Sequence, residues 1–380
     1  MAEKRVKKKE SKSFGERIKN AIAGVVIGLV LFLAAFPLLW WNEGRAVRDW
    51  QTLAEAEEAV ISTSADEVAE GEEGKLVHLT GEATTDEVLE DDSFNVAQQG
   101  IILKRVAEMY QWQEEEEERN DTIEYTYSRT WASQVIDHSE FEYPEDYQNP
   151  ASMKYEPREF RADEVVLGAY DLPDFLIDQM DNYEDLSPGQ AVEDSEALEY
   201  EISGDYIYVG EDPAEPQVGD IRVSYQIIRP ATVSVLARQT GSTFEDFQAE
   251  AGGTVGRLSV GEVTAEGMIE EARTEAVILT WILRGVGFLM MVIGVGLLFK
   301  PLLMVTSFIP VLGSLLSAGV FVIALAAGLV FTSLTIGLAW LFYRPILGLV
   351  VLIVGAAVGA VLVKVSAGGA AEIPETTAEA

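Results

Sequence analysis

The sequence predicts an integral membrane protein: a four-helix transmembrane bundle plus a large strand-rich (α+β) extracytoplasmic domain inserted between helices 1 and 2. Three observations predict it. The first is an apolar run from Val277 to Val363, 87 residues long, whose only charges are Arg284, Lys300 and Arg344. A spanning helix takes about 20 apolar residues at ~1.5 Å each, so this run is long enough for three crossings. The second is a separate apolar segment, Ala21 to Trp41, near the other end of the chain. The third is what lies between them, an acidic stretch whose apolar residues alternate with polar ones, as half-buried strands require.

The charge is distributed unevenly. The chain carries 27 Lys and Arg against 63 Asp and Glu, a net charge of −36. Residues 1–20 hold eight of the basic residues, whereas residues 42–278 carry a net of −42 and only three lysines, Lys75, Lys104 and Lys154. So acidic a surface fits a protein working in high salt, where screening over a few ångströms makes self-repulsion tolerable. A cation-binding surface is the alternative. No basic footprint for nucleic acid exists outside the N-terminal tail. The chain has no cysteine, which excludes disulfides, zinc–thiolate and iron–sulfur sites and cysteine nucleophiles. With His78 and His138 the only histidines, a multi-histidine metal site is not expected either. No metal or cofactor is implied.

Residues 1–20 read as a basic cytoplasmic tail by the positive-inside rule, topogenic in the first instance, with anionic lipid headgroups as a second ligand for it. Transmembrane helix 1 is assigned to 21–41. Its length and the absence of a small-residue cleavage site argue against a signal peptide. Pro37 falls in its last turns, and Trp40 and Trp41 mark an interfacial aromatic belt. Asn42-Glu43-Gly44-Arg45 follows, with Glu43 and Arg45 read as a pair at headgroup level and the helix continuing through Ala59.

The acidic domain is assigned to 42–276. Lys75–Thr80 is a strand ending at Gly81, and Ile101–Trp112 is another. Glu114–Glu118 reads as the acidic tip of a hairpin whose second strand is Thr122–Trp131; it lacks the interspersed spacing of a calcium loop. Tyr143–Pro157 reads as a loop, and Leu172–Met180 as a helix. Two short strands flank a turn at Ser203-Gly204, and Gly219–Ile227 and Thr232–Ala237 form two more. Gly252, Gly253 and Gly256 lack the Lys-Ser/Thr of a phosphate loop and read as a simple loop.

A linker helix, Thr264–Ala276, leads into transmembrane helix 2 at 277–299, with Arg284 either snorkelling to the interface or buried as a functional charge. Residues 300–314, broken by Pro310 and Gly313, read as a re-entrant or interfacial segment. Transmembrane helices 3 and 4 take 315–341 and 346–363, and 364–380 reads as a disordered tail. Four crossings place both termini in the cytoplasm. Gly24/Gly28 and Gly355/Gly359 are small-xxx-small pairs through which helices 1 and 4 are expected to pack.

Several separated stretches together resemble the transmembrane protein 43 (LUMA) family: Asn42-Glu43-Gly44-Arg45-Ala46, Gly74–His78, Glu108-Met109-Tyr110-Gln111-Trp112, Asn149-Pro150, Val218-Gly219-Asp220-Ile221-Arg222-Val223-Ser224, Ala237-Arg238-Gln239 and Trp340-Leu341-Phe342-Tyr343-Arg344-Pro345. The resemblance implies four spans, a large non-cytosolic domain, oligomerisation and a scaffolding role exercised through partner proteins. Its eukaryotic members reside in the endoplasmic reticulum and inner nuclear membrane. The acidic tail, the acid excess and the lack of cysteine depart from them and point to a prokaryotic member, for which the plasma membrane of a cell in high salt is the expected location.

The expected function is therefore a non-enzymatic, homo-oligomeric scaffold of the lipid bilayer that organises other membrane proteins. The candidate docking residues are Tyr110, Trp112 and Trp131, together with the family-motif residues Asn42, Glu43, Gly44, Arg45, Gly219, Asp220, Arg222, Tyr343, Arg344 and Pro345. No catalytic residue is assigned: a nucleophile elbow, a His-Glu-x-x-His motif and a phosphate loop are all missing from the sequence. A membrane-tethered enzyme is one competing reading. A transporter or channel is another, with Arg284, Thr332, Ser333 and Thr335 as the polar groups its spans would offer.

Overall fold

The computed structural model describes residues 2–8, 14–119, 122–192, 200–306, 310–350 and 353. The chain divides into two compact units. One comprises Met1–Ser11, Ala56–Ala249 and Thr254–Ile269; the other comprises Lys12–Glu55, Glu250–Gly253 and Glu270–Ala380.

The first unit is the strand-rich one. Its principal strands are β1 (Glu3–Lys8), β2 (Leu76–Thr84), β3 (Ile102–Arg119), β4 (Thr122–Ala132), β5 (Arg158–Arg161) and β6 (Glu184–Leu186). Then come β7 (Glu201–Ser203), β8 (Tyr206–Val209), β9 (Ile221–Ile228), β10 (Ala231–Thr240), β11 (Thr243–Glu245) and β12 (Arg257–Val260). A larger sheet runs β1-β4-β3-β9-β8-β7, with β5 added to β3 and β6 to β9. A second sheet is built on β2, β10 and β11, with β12 on β10 and short pieces at Ile61–Ser62, Val166–Leu167 and Tyr170–Asp171.

Period-two alternation explains why both sheets form. In β9 the odd-numbered side chains from Ile221 to Ile227 are buried and the even ones from Arg222 to Gln226 are not. The chain passes from β9 in one sheet to β10 in the other through Arg229 and Pro230, and both sheets feed one apolar core. Leu103, Ala107, Met109, Val223 and Ile227 come from the first sheet, and Val77, Leu79, Val233, Val235 and Ala237 from the second.

Two expectations for this unit need correction. The five glutamates 114–118 are not a loop. They continue β3 and pair with β4 in register, Glu114 opposite Tyr127 and Glu118 opposite Ile123. Tyr125, Tyr127 and Tyr147 form a separate aromatic cluster there, with Trp112, Ile123, Phe141 and Tyr143 against it. Tyr127 and Tyr147 stack at 3.7 Å. The tyrosines give the acidic strand an apolar face to lie on, which lets the sheet outlast the charge repulsion.

Second, residues 1–20, expected as a basic cytoplasmic tail, contain β1, antiparallel to β4 from Glu3 opposite Tyr127 to Lys8 opposite Thr122. Lys4 pairs with Glu124, Lys7 with Glu142, and Arg5 with Asp146 at 2.7 Å, while the Arg5 guanidinium also lies over Tyr143 and Tyr147. Opposite charge draws the strand to this edge. A bilayer crossing by residues 21–41 would separate Glu3–Lys8 from β4, so this pairing and a cytoplasmic N-terminus place the segment differently.

The second unit is helical. α1 (Phe14–Ala59) runs unbroken through Pro37, and α2 (Ala265–Leu298) merges the expected linker helix with the second span. α3 (Lys300–Thr306) is short. α4 (Pro310–Tyr343) begins at the proline that was expected to interrupt it, because a first-turn proline lacks only an N–H that would go unpaired anyway. Among the described residues three helices are long and apolar enough to cross a membrane, within α1, α2 and α4. Helical backbone resumes at Pro345 and is described to Val350 and at Ile353. Residues 351–352 and 354–363 of the expected fourth span, Gly355 and Gly359 among them, and the 364–380 tail, lie outside the described residues.

Gly24 and Gly28 of α1 meet neighbours among the described helices, while their expected partners Gly355 and Gly359 lie outside the described residues. A Cβ at Gly28 would come within 2.7 Å of the Gly294 carbonyl oxygen and 2.8 Å of the Leu297 Cβ, so this face of α1 packs on α2. At Gly24 a Cβ would meet the aliphatic stem of Lys300.

Candidate functional site

Two places collect the residues singled out in the sequence. The first lies in the helical unit, where α1 passes Trp41. Glu43 is 1% exposed, although apolar helices surround it. Burial of a carboxylate requires a paired charge and full hydrogen bonding. Arg284 on α2 supplies a two-pronged fork, Nε donating to Oε1 at 2.7 Å and Nη2 to Oε2 at 2.8 Å. The Trp340 indole on α4 donates to Oε2 at 2.7 Å. One carboxylate thus ties three helices together.

Its neighbours extend the node. The Asn42 amide donates to the Thr280 carbonyl at 3.0 Å. Arg45 Nη2 donates to Asn42 Oδ1 at 3.2 Å and to the Thr280 hydroxyl at 3.0 Å, while Nη1 donates to Asp49. The expected Glu43–Arg45 pair is therefore absent, because residues two apart on a helix face different ways. Arg284 does not snorkel; it is held under Trp281 and Trp340, with ring centroids at 4.8 and 5.8 Å.

Gly44 is buried against Tyr343, whose ring carbon Cζ would lie 2.7 Å from any Cβ there. Trp40 packs on Phe342 and Tyr343 at 5.8 and 5.9 Å. The motif at 42–45 and the motif at 340–345, some 300 residues apart in sequence, are thus one structure. Pro345 opens the helical stretch after the turn, and Arg344 occupies the turn itself.

The second place is the solvent-side face of the larger sheet. Tyr110 stands directly opposite Trp131 across β3 and β4, with ring centroids at 5.1 Å, and Trp112 is opposite Arg129. The Arg129 guanidinium lies over Tyr110 and Trp112 at 5.6 and 5.3 Å, and that of Arg222 over Trp131 at 4.8 Å. Arg222 Nε also donates to Glu108 at 2.6 Å. Tyr110, Trp112 and Trp131 are each half-buried, and Trp112 also packs on the buried Tyr147 at 5.0 Å, so the aromatic–arginine strip runs into the tyrosine cluster at its Trp112 end.

Its edges are fixed by the remaining motif residues. Gly219 has φ +103°, a conformation that glycine adopts freely, and its N–H donates to the Tyr110 carbonyl at 2.9 Å. The Tyr110 N–H donates to the Asp220 carbonyl at 2.8 Å. The Asp220 carboxylate accepts from the Tyr208 hydroxyl and from the Gln217 N–H, the latter at 2.7 Å. Asn149 imitates a strand neighbour: its side chain accepts from the Trp112 N–H at 2.7 Å and donates to the Trp112 carbonyl at 2.9 Å.

One polar cluster escaped the sequence reading. Inside the strand-rich core, Arg105 Nη1 donates to both oxygens of the buried Asp91 at 3.0 and 2.8 Å, and the Tyr225 hydroxyl donates to Oδ2 at 2.7 Å. Burial, and then the bond to Asp91, push the Tyr225 hydroxyl pKa well above the ordinary tyrosine range. Burial and a carboxylate acceptor do the same to Tyr127, bonded to Glu114, and to Tyr208, bonded to Asp220. All three stay neutral donors. The signal for this cluster was present: Arg105 sits among buried odd-numbered residues of β3, on the face that alternation reserves for the core.

In each of these groups a carboxylate accepts from a tyrosine hydroxyl, and at Asp91 from Arg105 as well. Among the described residues no group of His, Cys, Asp or Glu could hold a metal ion. His78 Nε2 lies 2.8 Å from the Val263 carbonyl, a structural contact.

Both places fall within the reach of known relatives. The model of the family described as Transmembrane protein 43 matches residues 109–345, from the core of β3 to the proline after the Trp340–Arg344 motif. The chain belongs to the transmembrane protein 43 family. It is 34% identical to human Transmembrane protein 43 over 94% of each chain, and 33% identical to the rat protein over 88% of each. The fruit-fly Transmembrane protein 43 homolog is 30% identical over 90% of this chain and 95% of its own. Membership in this family, with three helices able to span, makes the chain a membrane protein. No solved structure matches the chain.

Proposed function

We propose that the protein is a non-enzymatic, multi-pass scaffold of the cell membrane that gathers other membrane proteins on the outer face of its strand-rich unit, as a homo-oligomer. The observation that carries this reading is the aromatic–arginine strip of Tyr110, Trp112, Arg129, Trp131 and Arg222. Tryptophan, tyrosine and arginine are the residue types that dominate binding energy at protein interfaces, and here they are packed yet half-open to solvent. A groove of about 410 Å³ beside the strip, with Glu108, Asp205, Tyr206 and Arg222 in its walls, supplies the relief that a partner loop can enter. The polar groups of the spans favour the same reading, because Arg284 is neutralised by Glu43, and Thr332 and Thr335 bond within the bundle. The acid excess extends the proposal to a cell in high salt, with partners that carry few acids on the mating face.

The test is co-purification from native membranes of the wild type and of the double variant Tyr110→Ala/Trp112→Ala. Loss of a defined partner from the variant, with a far-ultraviolet circular dichroism spectrum at the assay temperature matching that of the wild type, is the expected result. Undiminished capture would remove the strip as the docking surface, and solute flux in proteoliposomes would replace the scaffold by a transporter.

A further inference from the structure

Beside the Glu43 node, within the helical unit, α1 and α2 leave a cavity of about 360 Å³ that the scaffold reading does not use. Among the described residues its charged lining consists of three arginines, Arg273, Arg284 and Arg344, with no acid. In a chain with 63 acidic and 27 basic residues, a pocket whose charged lining residues are all cationic runs against the composition. The three differ in state. Arg284 is balanced by Glu43 behind it, and Arg273 has Glu270 near Nη1 at 3.5 Å. The Arg344 guanidinium, half-buried, has no carboxylate or hydrogen-bond acceptor among the described residues.

An unpaired guanidinium at a half-buried position calls for an anion, and its planar fork suits a phosphate. The depth of the pocket identifies the carrier of that phosphate. Trp50 and Trp281 line it and are 62% and 64% exposed, in the manner of interfacial belt residues. Beyond them along α2, into the apolar part of the helix, Ile282, Leu289 and Ile293 are each more than half exposed, an apolar track on which an acyl chain can lie.

We propose that this cavity binds the phosphate of an anionic phospholipid headgroup, with Arg344 as the principal ligand, Arg273 and the Thr280 hydroxyl edge beside it, and Trp50 and Trp281 flanking the glycerol region. The bilayer would thereby lock the turn between α4 and the following helix against α1.

Native mass spectrometry of the delipidated full chain in micelles tests this, with phosphatidylglycerol, phosphatidylcholine and glycerol phosphate as probes. The wild type should retain phosphatidylglycerol at least about tenfold more tightly than phosphatidylcholine, and Arg344→Gln should abolish that preference, a tenfold change being about 1.4 kcal/mol. Arg344→Lys, which keeps the charge, should retain a measurable part of the preference and guards against a variant that fails to fold. Equal retention of the two lipids, or a preference unchanged in Arg344→Gln, would overturn the proposal. Binding of glycerol phosphate as tight as that of the lipid would assign the site to a soluble phosphate instead.

Discussion

Glu43→Gln is the most informative single change, because it alters charge with almost no change in volume. In the wild type three donors converge on one carboxylate, two from Arg284 and one from Trp340, at 2.7–2.8 Å. The amide retains one acceptor oxygen and turns a donor towards the groups that the other oxygen served. At least one charge-assisted bond is then lost, about 1.5–3 kcal/mol. The Arg284 guanidinium is also left without a counter-charge, and breaking a buried pair from one side typically totals about 3–5 kcal/mol. We expect a loss in that upper range.

The assay is equilibrium unfolding in micelles followed by tryptophan fluorescence, which Trp40, Trp281 and Trp340 around the node will report. Adding Arg284→Met should recover about 1.5–3 kcal/mol, since the double variant buries no lone charge. A single variant within about 0.5 kcal/mol of the wild type, or strictly additive singles, would refute the reasoning.

Other outcomes follow from the same contacts. Gly28→Leu should separate α1 from α2 and lower stability by about 1–3 kcal/mol in the same assay, whereas Gly285→Leu, with nothing within 4 Å of its Cβ position, should stay within about 0.5 kcal/mol. Because the Tyr225 pKa is raised in the fold, its contribution is complete below the ordinary tyrosine pKa of about 10 and declines as pH rises past it. Tyr225→Phe should therefore cost about 1.5–3 kcal/mol near pH 8 and progressively less above pH ~10, measured by denaturant titration at each pH. The acidic unit should gain thermal stability from low salt to molar KCl, as the screening length falls from about 10 Å at 0.1 M to about 3 Å at 1 M; an unchanged midpoint would dissociate the acid excess from salt. The cysteine-free chain allows single-cysteine labelling in sealed vesicles: with β1 on its sheet, Lys8→Cys and Asp212→Cys react from the same side, and labelling from opposite sides would detach β1 from β4 in the membrane.

Strands were readable because their burial follows period two. The expected strands at 75–80, 101–112, 122–131, 219–227 and 232–237 all correspond to observed ones, with ends displaced by a few residues. Their sheet partners were not readable, since alternation fixes a face and leaves the neighbour open; nothing local says that β9 lies beside β3 rather than β10. The glutamate run misled for a related reason. Charge repulsion argued for a loop, while the tyrosines that hold β3 and β4 together lie up to 33 residues away, at Tyr147.

The site shows the same division. Asn42–Arg45 and Trp340–Pro345 stood out as motifs, and their roles did not, because Glu43 finds Arg284 only once α1 and α2 are packed. Arg284 could be seen as an anomalous charge in an apolar helix; choosing between snorkelling and burial required its partner. Arg105 was visible in the same way, and Asp91, placed on a short strand outside the main pattern, was not.

Purification of the full chain from native membranes into lipid nanodiscs, with the particle weighed and its contents identified, tests the scaffold most directly. A homo-oligomer carrying a defined partner that the Tyr110→Ala/Trp112→Ala variant loses is the expected result. A bare monomer, identical for wild type and variant, would contradict it.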